Sequence, residues 1–140
     1  MTATASTPFR LPVSVYWEDT DAGGVVYYAN YLKYFERART DWLRALGVSQ
    51  QTMKEQHGAM FVVAAAQLRY LRPARLDDRL EVTAALAEPG GGASLRFQQQ
   101  VWRGATLLVE GQVRAGCVDA ASFRPRRIPE SVLQALARPL

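Results

Sequence analysis

From residue 61 to residue 118 the chain repeats one pattern four times: apolar and polar residues alternate, and a proline or glycine then breaks the run. A period of two marks a half-buried strand. The runs are 61–72, 78–88, 94–103 and 106–118. In the second, Leu80, Val82, Ala84 and Leu86 oppose Arg79, Glu81, Thr83 and Ala85. In the third, Leu95, Phe97, Gln99 and Val101 share a face, and in the fourth Val109, Gly111, Val113, Ala115 and Cys117 do. The breaks at Pro73, at Pro89-Gly90-Gly91-Gly92 and at Gly104-Ala105 are short. Short connections join antiparallel neighbours. An antiparallel sheet with one apolar face needs something to cover it.

The cover lies upstream. Tyr31, Tyr34/Phe35, Ala38, Trp42 and Leu46 recur at helical spacing, and Gly47 supplies a stop. Asn30 is the expected N-cap, with an entry that could begin as early as Tyr27 or Tyr28. In the run 61–72 the small residues Ala64 and Ala66 suggest a strand lying close under this bulky helix. A further strand is expected at 11–18, with Val13, Val15 and Trp17 on one face. A short helical turn is expected before Gly58, and Pro129 opens a terminal helix over 130–137. The fold class expected is therefore α+β, an antiparallel sheet curled around one long central helix. Residues 1–140 read as a single domain, with 1–8 a frayed end.

Composition narrows the chemistry. At 140 residues, 49% hydrophobic and 21% charged, the chain has the make-up of a globular domain. Its longest apolar run, 59–66, is too short to span a bilayer. The N-terminus lacks a secretory signal, so a cytoplasmic protein is expected. Cys117 is the only cysteine and His57 the only histidine, which leaves no internal disulfide and no histidine-rich zinc site. His57 reads as a solvated loop residue. The net charge of +4 comes mostly from arginine and does not call for nucleic acid. The motifs G-x-S-x-G, C-x-x-C, H-E-x-x-H, G-x-G-x-x-G and the P-loop are all missing.

What remains is the joint between the first strand and the helix, Glu18-Asp19-Thr20-Asp21-Ala22-Gly23-Gly24-Val25-Val26-Tyr27-Tyr28. Asp21 precedes two glycines that let the backbone turn sharply or a ligand approach it. A carboxylate there can act as a nucleophile or as a general base toward water. The helix start beyond it offers N–H groups that can polarise a carbonyl. Those parts suit acyl transfer to water. The competing reading makes Asp19 and Asp21 plain turn formers. Two neighbouring carboxylates are a weak metal signal, and no metal site is expected.

Several separated motifs give the chain a family resemblance. E-D-T-D-A-G-G-V-V-Y at 18–27, Y-F-E-R-A-R-T at 34–40, P-A-R-L-D-D at 73–78 and C-V-D at 117–119 occur in order, followed by Arg124-Pro125 and Ile128-Pro129. The chain thus resembles the hotdog-fold acyl-CoA thioesterases, in the tol–pal-associated branch of the 4-hydroxybenzoyl-CoA thioesterase family. The resemblance implies an acyl-CoA substrate, hydrolysis to free acid and CoA, and no cofactor beyond the coenzyme A of the substrate. It implies a homodimer or homotetramer with sites between subunits. An acyl carrier protein is a further partner to test, and a binding protein with little catalysis is the alternative. Asp21 matches the catalytic carboxylate, and Tyr28 the position whose backbone N–H polarises the thioester. Trp17, Gly23, Gly24, Val25 and Tyr27 are the expected substrate contacts. The branch usually has histidine where Tyr28 stands, and the hairpin that bears basic residues in some relatives reads Gly90-Gly91-Gly92-Ala93-Ser94 here.

Overall fold

The structure is a computed structural model that describes residues 8–87 and 92–138. Five strands form one antiparallel sheet: β1 (Phe9–Ser14), β2 (Ala59–Tyr70), β3 (Arg79–Leu86), β4 (Ser94–Arg103) and β5 (Thr106–Asp119), in spatial order β1-β3-β4-β5-β2. The long helix α1 (Asn30–Ala45) lies across the inner face. A shorter helix α2 (Gln50–His57) leads into β2, and α3 (Glu130–Leu136) closes the chain. The expected α+β class and the order of elements both hold. The expectations for residues 1–7 and for the hairpin at 88–91 lie outside the described residues.

The helix buries Tyr31, Tyr34, Phe35, Ala38, Trp42 and Leu43. The inner rows of the sheet meet them with Leu80, Val82 and Ala84, with Leu95, Phe97 and Val101, and with Val109, Val113, Ala115 and Cys117. Each large side chain taken out of water contributes about 1.5–3 kcal/mol. Trp42 packs edge-on against Phe97 at 5.7 Å. Gly111 lets the Phe35 ring sit against the sheet: a Cβ there would stand 3.0 Å from the Phe35 ring and 2.7 Å from the Gln67 carbonyl oxygen.

One polar residue sits in this apolar layer. Gln99, 1% exposed, donates to the carbonyls of Phe35 (3.0 Å) and Thr83 (3.1 Å) and accepts from the Arg39 guanidinium (2.9 Å). Arg39 in turn lies over the Phe97 ring at 5.9 Å. The Gln99 carboxamide thereby ties the middle of α1 to β4 through Phe35 and Arg39, and β4 to β3 through Thr83.

Three local expectations need correction. The first strand ends at Ser14, and the chain turns through a 3-10 element at Trp17–Asp19. The Asp19 carboxylate accepts from the Tyr16 N–H (2.8 Å) and closes that turn, so Trp17 leaves the face of Val13 and Val15 and is 82% exposed. Ala64 and Ala66 are not covered by the helix. Strand β2 is an edge of the sheet with a bulge between Val63 and Ala65, and both alanines are exposed. Asn30 is the first helical residue and not the cap: its side chain reaches back to the Asp19 carbonyl (2.8 Å), and Ala29 occupies the cap position.

Replacing Gln99 by Leu keeps the volume but strands the Arg39 guanidinium and the Phe35 carbonyl. The expected loss is about 2–4 kcal/mol in urea unfolding. A loss below about 0.5 kcal/mol would show that these bonds do not hold the helix.

Candidate active site

The D-T-D-A-G-G segment folds as a small hairpin between the 3-10 turn and α1. Thr20 and Val26 form an antiparallel bridge, the Asp21 N–H donates to the Val25 carbonyl (2.9 Å), and the Gly24 N–H donates to the Asp21 carbonyl (3.0 Å). Asp21-Ala22-Gly23-Gly24 is therefore a β-turn. Gly24 takes φ +79°, which a side chain would resist, and a Cβ on Gly23 would meet the Asp21 carboxylate at 3.2 Å. The Gly23 N–H donates to Asp21 Oδ1 at 2.8 Å. Asp21 is thus a turn former, as the plainer reading held, and its carboxylate is also exposed.

The hairpin is held at both ends. The Asp19 carbonyl accepts from the Tyr27 N–H (2.9 Å) and from Asn30 Nδ2. The entry into α1 is tight: Asn30, Tyr31 and Leu32 N–H groups bond three residues back, to Tyr27, Tyr28 and Ala29. Among the described residues, the N–H groups of Tyr28 and Ala29 have no protein partner. Unpaired N–H groups at a helix start attract negative charge. The Tyr70 hydroxyl donates to the Tyr28 carbonyl at 3.4 Å.

The segment P-A-R-L-D-D at 73–78 forms the floor. The Val26 N–H donates to the Ala74 carbonyl (2.8 Å), Val25 bridges Arg75, and the Ala74 N–H donates to the buried Tyr31 hydroxyl (3.2 Å). Asp78 organises this turn: its carboxylate accepts from the Arg75 N–H (2.9 Å) and from Arg103 (2.8 Å), while Arg103 also reaches the Pro73 carbonyl. Burial pushes the Asp78 carboxyl up, but the Arg75 amide and the Arg103 guanidinium outweigh it and hold the group below the usual carboxylate range.

Of the residues singled out in the sequence, Asp21, Gly23, Gly24, Val25, Tyr27 and Tyr28 share this hairpin and helix entry. Trp17 stands on the turn just before it, exposed with Tyr16, Tyr27 and Tyr28. The Tyr27 and Tyr28 rings lie 5.0 Å apart, and Tyr28 meets Tyr70 edge-on at 6.1 Å. His57 lies elsewhere, its ring 3.5 Å from the Ser131 hydroxyl. The sequence marks Asn30 and Tyr31 for the helix but not as supports of the site, and gives Asp78 and Arg103 no role of their own. Their partners are distant in the chain, and only the resemblance marked 73–78. Among the described residues no three His, Cys, Asp or Glu side chains gather where they could hold a metal ion, and no helix is long and apolar enough to cross a membrane.

A family model described as the thioesterase-like superfamily matches residues 15–136. The chain belongs to that superfamily. The acyl-CoA thioester hydrolase YbgC of Escherichia coli is 46% identical over 129 residues, covering 91% of this chain and 95% of the relative. The acyl-CoA thioesterase YbgC of Haemophilus influenzae is 44% identical over 124 residues, 89% of this chain and 90% of the relative. A crystal structure of a probable thioesterase from Bartonella henselae superposes with a TM-score of 0.82 at 31% identity, covering 88% of this chain and all of that one. The resemblance read in the motifs holds, and the fold is the hotdog fold.

Asp78 provides a test of how this thioesterase-superfamily chain supports its site. A carboxyl whose folded pKa is depressed stabilises fully above its unfolded value of about 3.9, and loses that contribution as pH falls through the folded value. Asp78→Asn should lower the urea midpoint near pH 7. The gap from wild type should close as the pH falls toward about 2. A gap independent of pH would mean that the carboxylate charge is not what stabilises the turn.

Proposed function

We propose that the protein hydrolyses the thioester of a small acyl-CoA to the free acid and coenzyme A, with Asp21 as the reacting carboxylate and the Tyr28 backbone N–H as the carbonyl donor. One observation carries this assignment of roles. An exposed carboxylate and an unpaired helix-start N–H are presented by the same short, braced hairpin. Membership of the thioesterase-like superfamily and the names of the curated relatives supply the reaction class.

In this reading the Tyr28 N–H takes up the negative charge that develops on the thioester oxygen. Asp21 either attacks the carbonyl carbon directly, giving an anhydride that water then opens, or removes a proton from an attacking water. In the first route the C–S bond breaks as the anhydride forms and CoA leaves as a thiolate that takes its proton from solvent; in the second, the proton that Asp21 takes from water passes to the departing thiolate as the C–S bond breaks. The role assigned to Tyr28 uses its backbone, so it does not require the imidazole usual in the branch. Trp17, Val25 and Tyr27, with the backbone at Gly23 and Gly24, line the approach. A cytoplasmic site of action belongs to the same proposal.

The proposal includes a second copy of the chain. Strand β2 has one unpaired edge, and Val63, Ala64, Ala65, Ala66, Tyr70 and Leu71 are exposed along it and beyond its end. Leu32 is exposed on the helix. An open apolar edge strand is a liability unless it is paired. Edge-to-edge pairing through β2 would cover it and would supply walls for a carboxylate that the single chain leaves open. Sedimentation should show a dimer or a dimer-based tetramer. Val63→Asp should shift it toward monomer, with activity falling in parallel. A wild-type monomer with full activity would sink this part.

The alternative is a hotdog protein that binds acyl-CoA or an acyl carrier protein with little turnover. It is favoured by the engagement of Asp21 Oδ1 with the Gly23 amide, a plain turn-forming contact. An acyl-CoA panel read with a thiol reagent separates the two. Asp21→Asn is expected to reduce CoA release by about 10²–10⁴-fold. Equal release by wild type and variant would remove Asp21 from the mechanism. Tight binding with no turnover would favour the alternative. Single turnover in heavy-oxygen water, with the label sought in Asp21, distinguishes nucleophile from base.

A further inference from the structure

Helix α1 does not cover the whole inner face of the sheet. It packs chiefly against β1 and β3, and a trough stays open between it and the β2 edge. Two cavities lie along this trough. One, of about 480 Å³, sits beside Leu32, Val63 and Ala66. The other, of about 250 Å³, sits beside Leu43, Phe61, Leu95 and Phe97. Glu36 and Arg39 border both. Leu32 and Val63 stand open at the trough, at 44% and 54% exposure. An apolar trough beside an unpaired strand edge marks an interaction surface.

The helix residues along the trough say what fits it. Leu32, Glu36, Arg39 and Leu43 recur three or four residues apart, so they form one row along α1. The row reads apolar, acidic, basic, apolar. Laid against a reversed copy of itself, it sets Leu32 against the Leu43 end and Glu36 against Arg39, in both directions at once. A twofold interface requires this kind of self-complementarity. Both charges are available for it. Arg39 is half-buried over the Phe97 ring and bonds Gln99, while Glu36 is exposed and accepts from the Thr40 hydroxyl. Among the described residues neither has an ion-pair partner. A half-buried guanidinium beside an open trough is best satisfied by a carboxylate.

We propose that a second copy of the chain seats its α1 in this trough, antiparallel to the first. Leu32 then enters the partner's smaller cavity beside the partner's Leu43, and Glu36 pairs with the partner's Arg39. This rests on the second-copy part of the reading above and deepens it. The trough runs beside β2, so edge pairing and helix seating belong to one event, and the ion pairs fix its register. The same register brings the Tyr28 end of each helix alongside the Gly47 end of the other. The partner's link between α1 and α2 thereby borders the proposed site.

The experiment is sedimentation equilibrium, which needs no turnover. Glu36→Arg places like charges together twice in each interface and should weaken self-association by about 100-fold. Leu32→Asp should weaken it by at least about tenfold. Arg39→Glu alone should also dissociate. Mixed in equal amounts, Glu36→Arg and Arg39→Glu should recover a dimer, because one copy then offers only arginine at the junction and the other only glutamate. Self-association of Glu36→Arg as tight as wild type, or a mixture that stays monomeric with both variants folded, would overturn the proposal. Arg39→Glu also gives up the Gln99 bond. Where it fails to fold, Glu36→Arg and Leu32→Asp decide, since both alter exposed side chains. A dimer that Val63→Asp disrupts and Glu36→Arg leaves intact would overturn the helix pairing alone. A wild-type monomer would overturn the edge pairing with it.

Discussion

The Gln99 carboxamide is where helix and sheet are brought into register. Burial of Tyr31, Tyr34, Phe35, Trp42 and Leu43 drives α1 onto the sheet, at about 1.5–3 kcal/mol for each large side chain. That force is not directional. It would tolerate the helix sliding or rotating by a fraction of a turn. Gln99 does not, because any slip takes the Phe35 carbonyl and the Arg39 guanidinium away from its carboxamide in a dry layer. Each such orphan costs about 1–3 kcal/mol, comparable to one of the apolar contacts that slipping would preserve. Gly111 adds a steric condition, because only a residue without Cβ lets the Phe35 ring and the β2 backbone approach together. The position of the helix start, and hence of the Tyr28 N–H, is inherited from these contacts in the middle of the helix.

The hairpin is located by a second set of bonds at the other end of the helix. Asp19 joins the end of the first strand's turn to Tyr27 and Asn30. The 73–78 turn carries Val25 and Val26 from below and is itself pinned by Asp78 and Arg103. Turn, helix entry and floor therefore converge on one short segment. In the proposed mechanism rigid support matters, because electrostatic stabilisation of a developing oxyanion depends on donors that are already in place. A loop free to reorient would have to order itself during the reaction.

What could be read in advance follows from the range of each interaction. Alternation placed Leu95, Phe97, Gln99 and Val101 on the inner face, and all four are buried there. It could not say that Gln99 would bond a helix carbonyl 64 residues away in the chain. Gly47 and Gly58 end helices as their chemistry suggests, both with positive φ. Trp17 was misplaced because the 3-10 turn depends on one carboxylate reaching back three residues to the Tyr16 amide, which overrides a strand-like pattern. The alanines of β2 misled because small residues fit equally well under a helix or along an edge awaiting a partner. Asp21 and the glycines stood out locally. Asp78, Arg103 and Tyr31 did not, since nothing near them in sequence marks them as the floor of a site.

The two readings of Asp21, turn former and reacting carboxylate, need not compete. The Gly23 amide fixes one carboxylate oxygen at 2.8 Å, and a Cβ on Gly23 would crowd that oxygen at 3.2 Å. A carboxylate on a free side chain would have to give up rotamer freedom to meet a substrate. One already bonded into an Asx turn has largely lost that freedom on folding. Its second oxygen then points in a direction set by the backbone. The turn thus exchanges side-chain freedom for orientation. That exchange favours catalysis when the barrier is dominated by bringing the groups into line, and effective molarities show how large that part of a barrier can be. On this argument the D-A-G-G sequence is one device, in which the glycines serve the aspartate as much as they serve the turn.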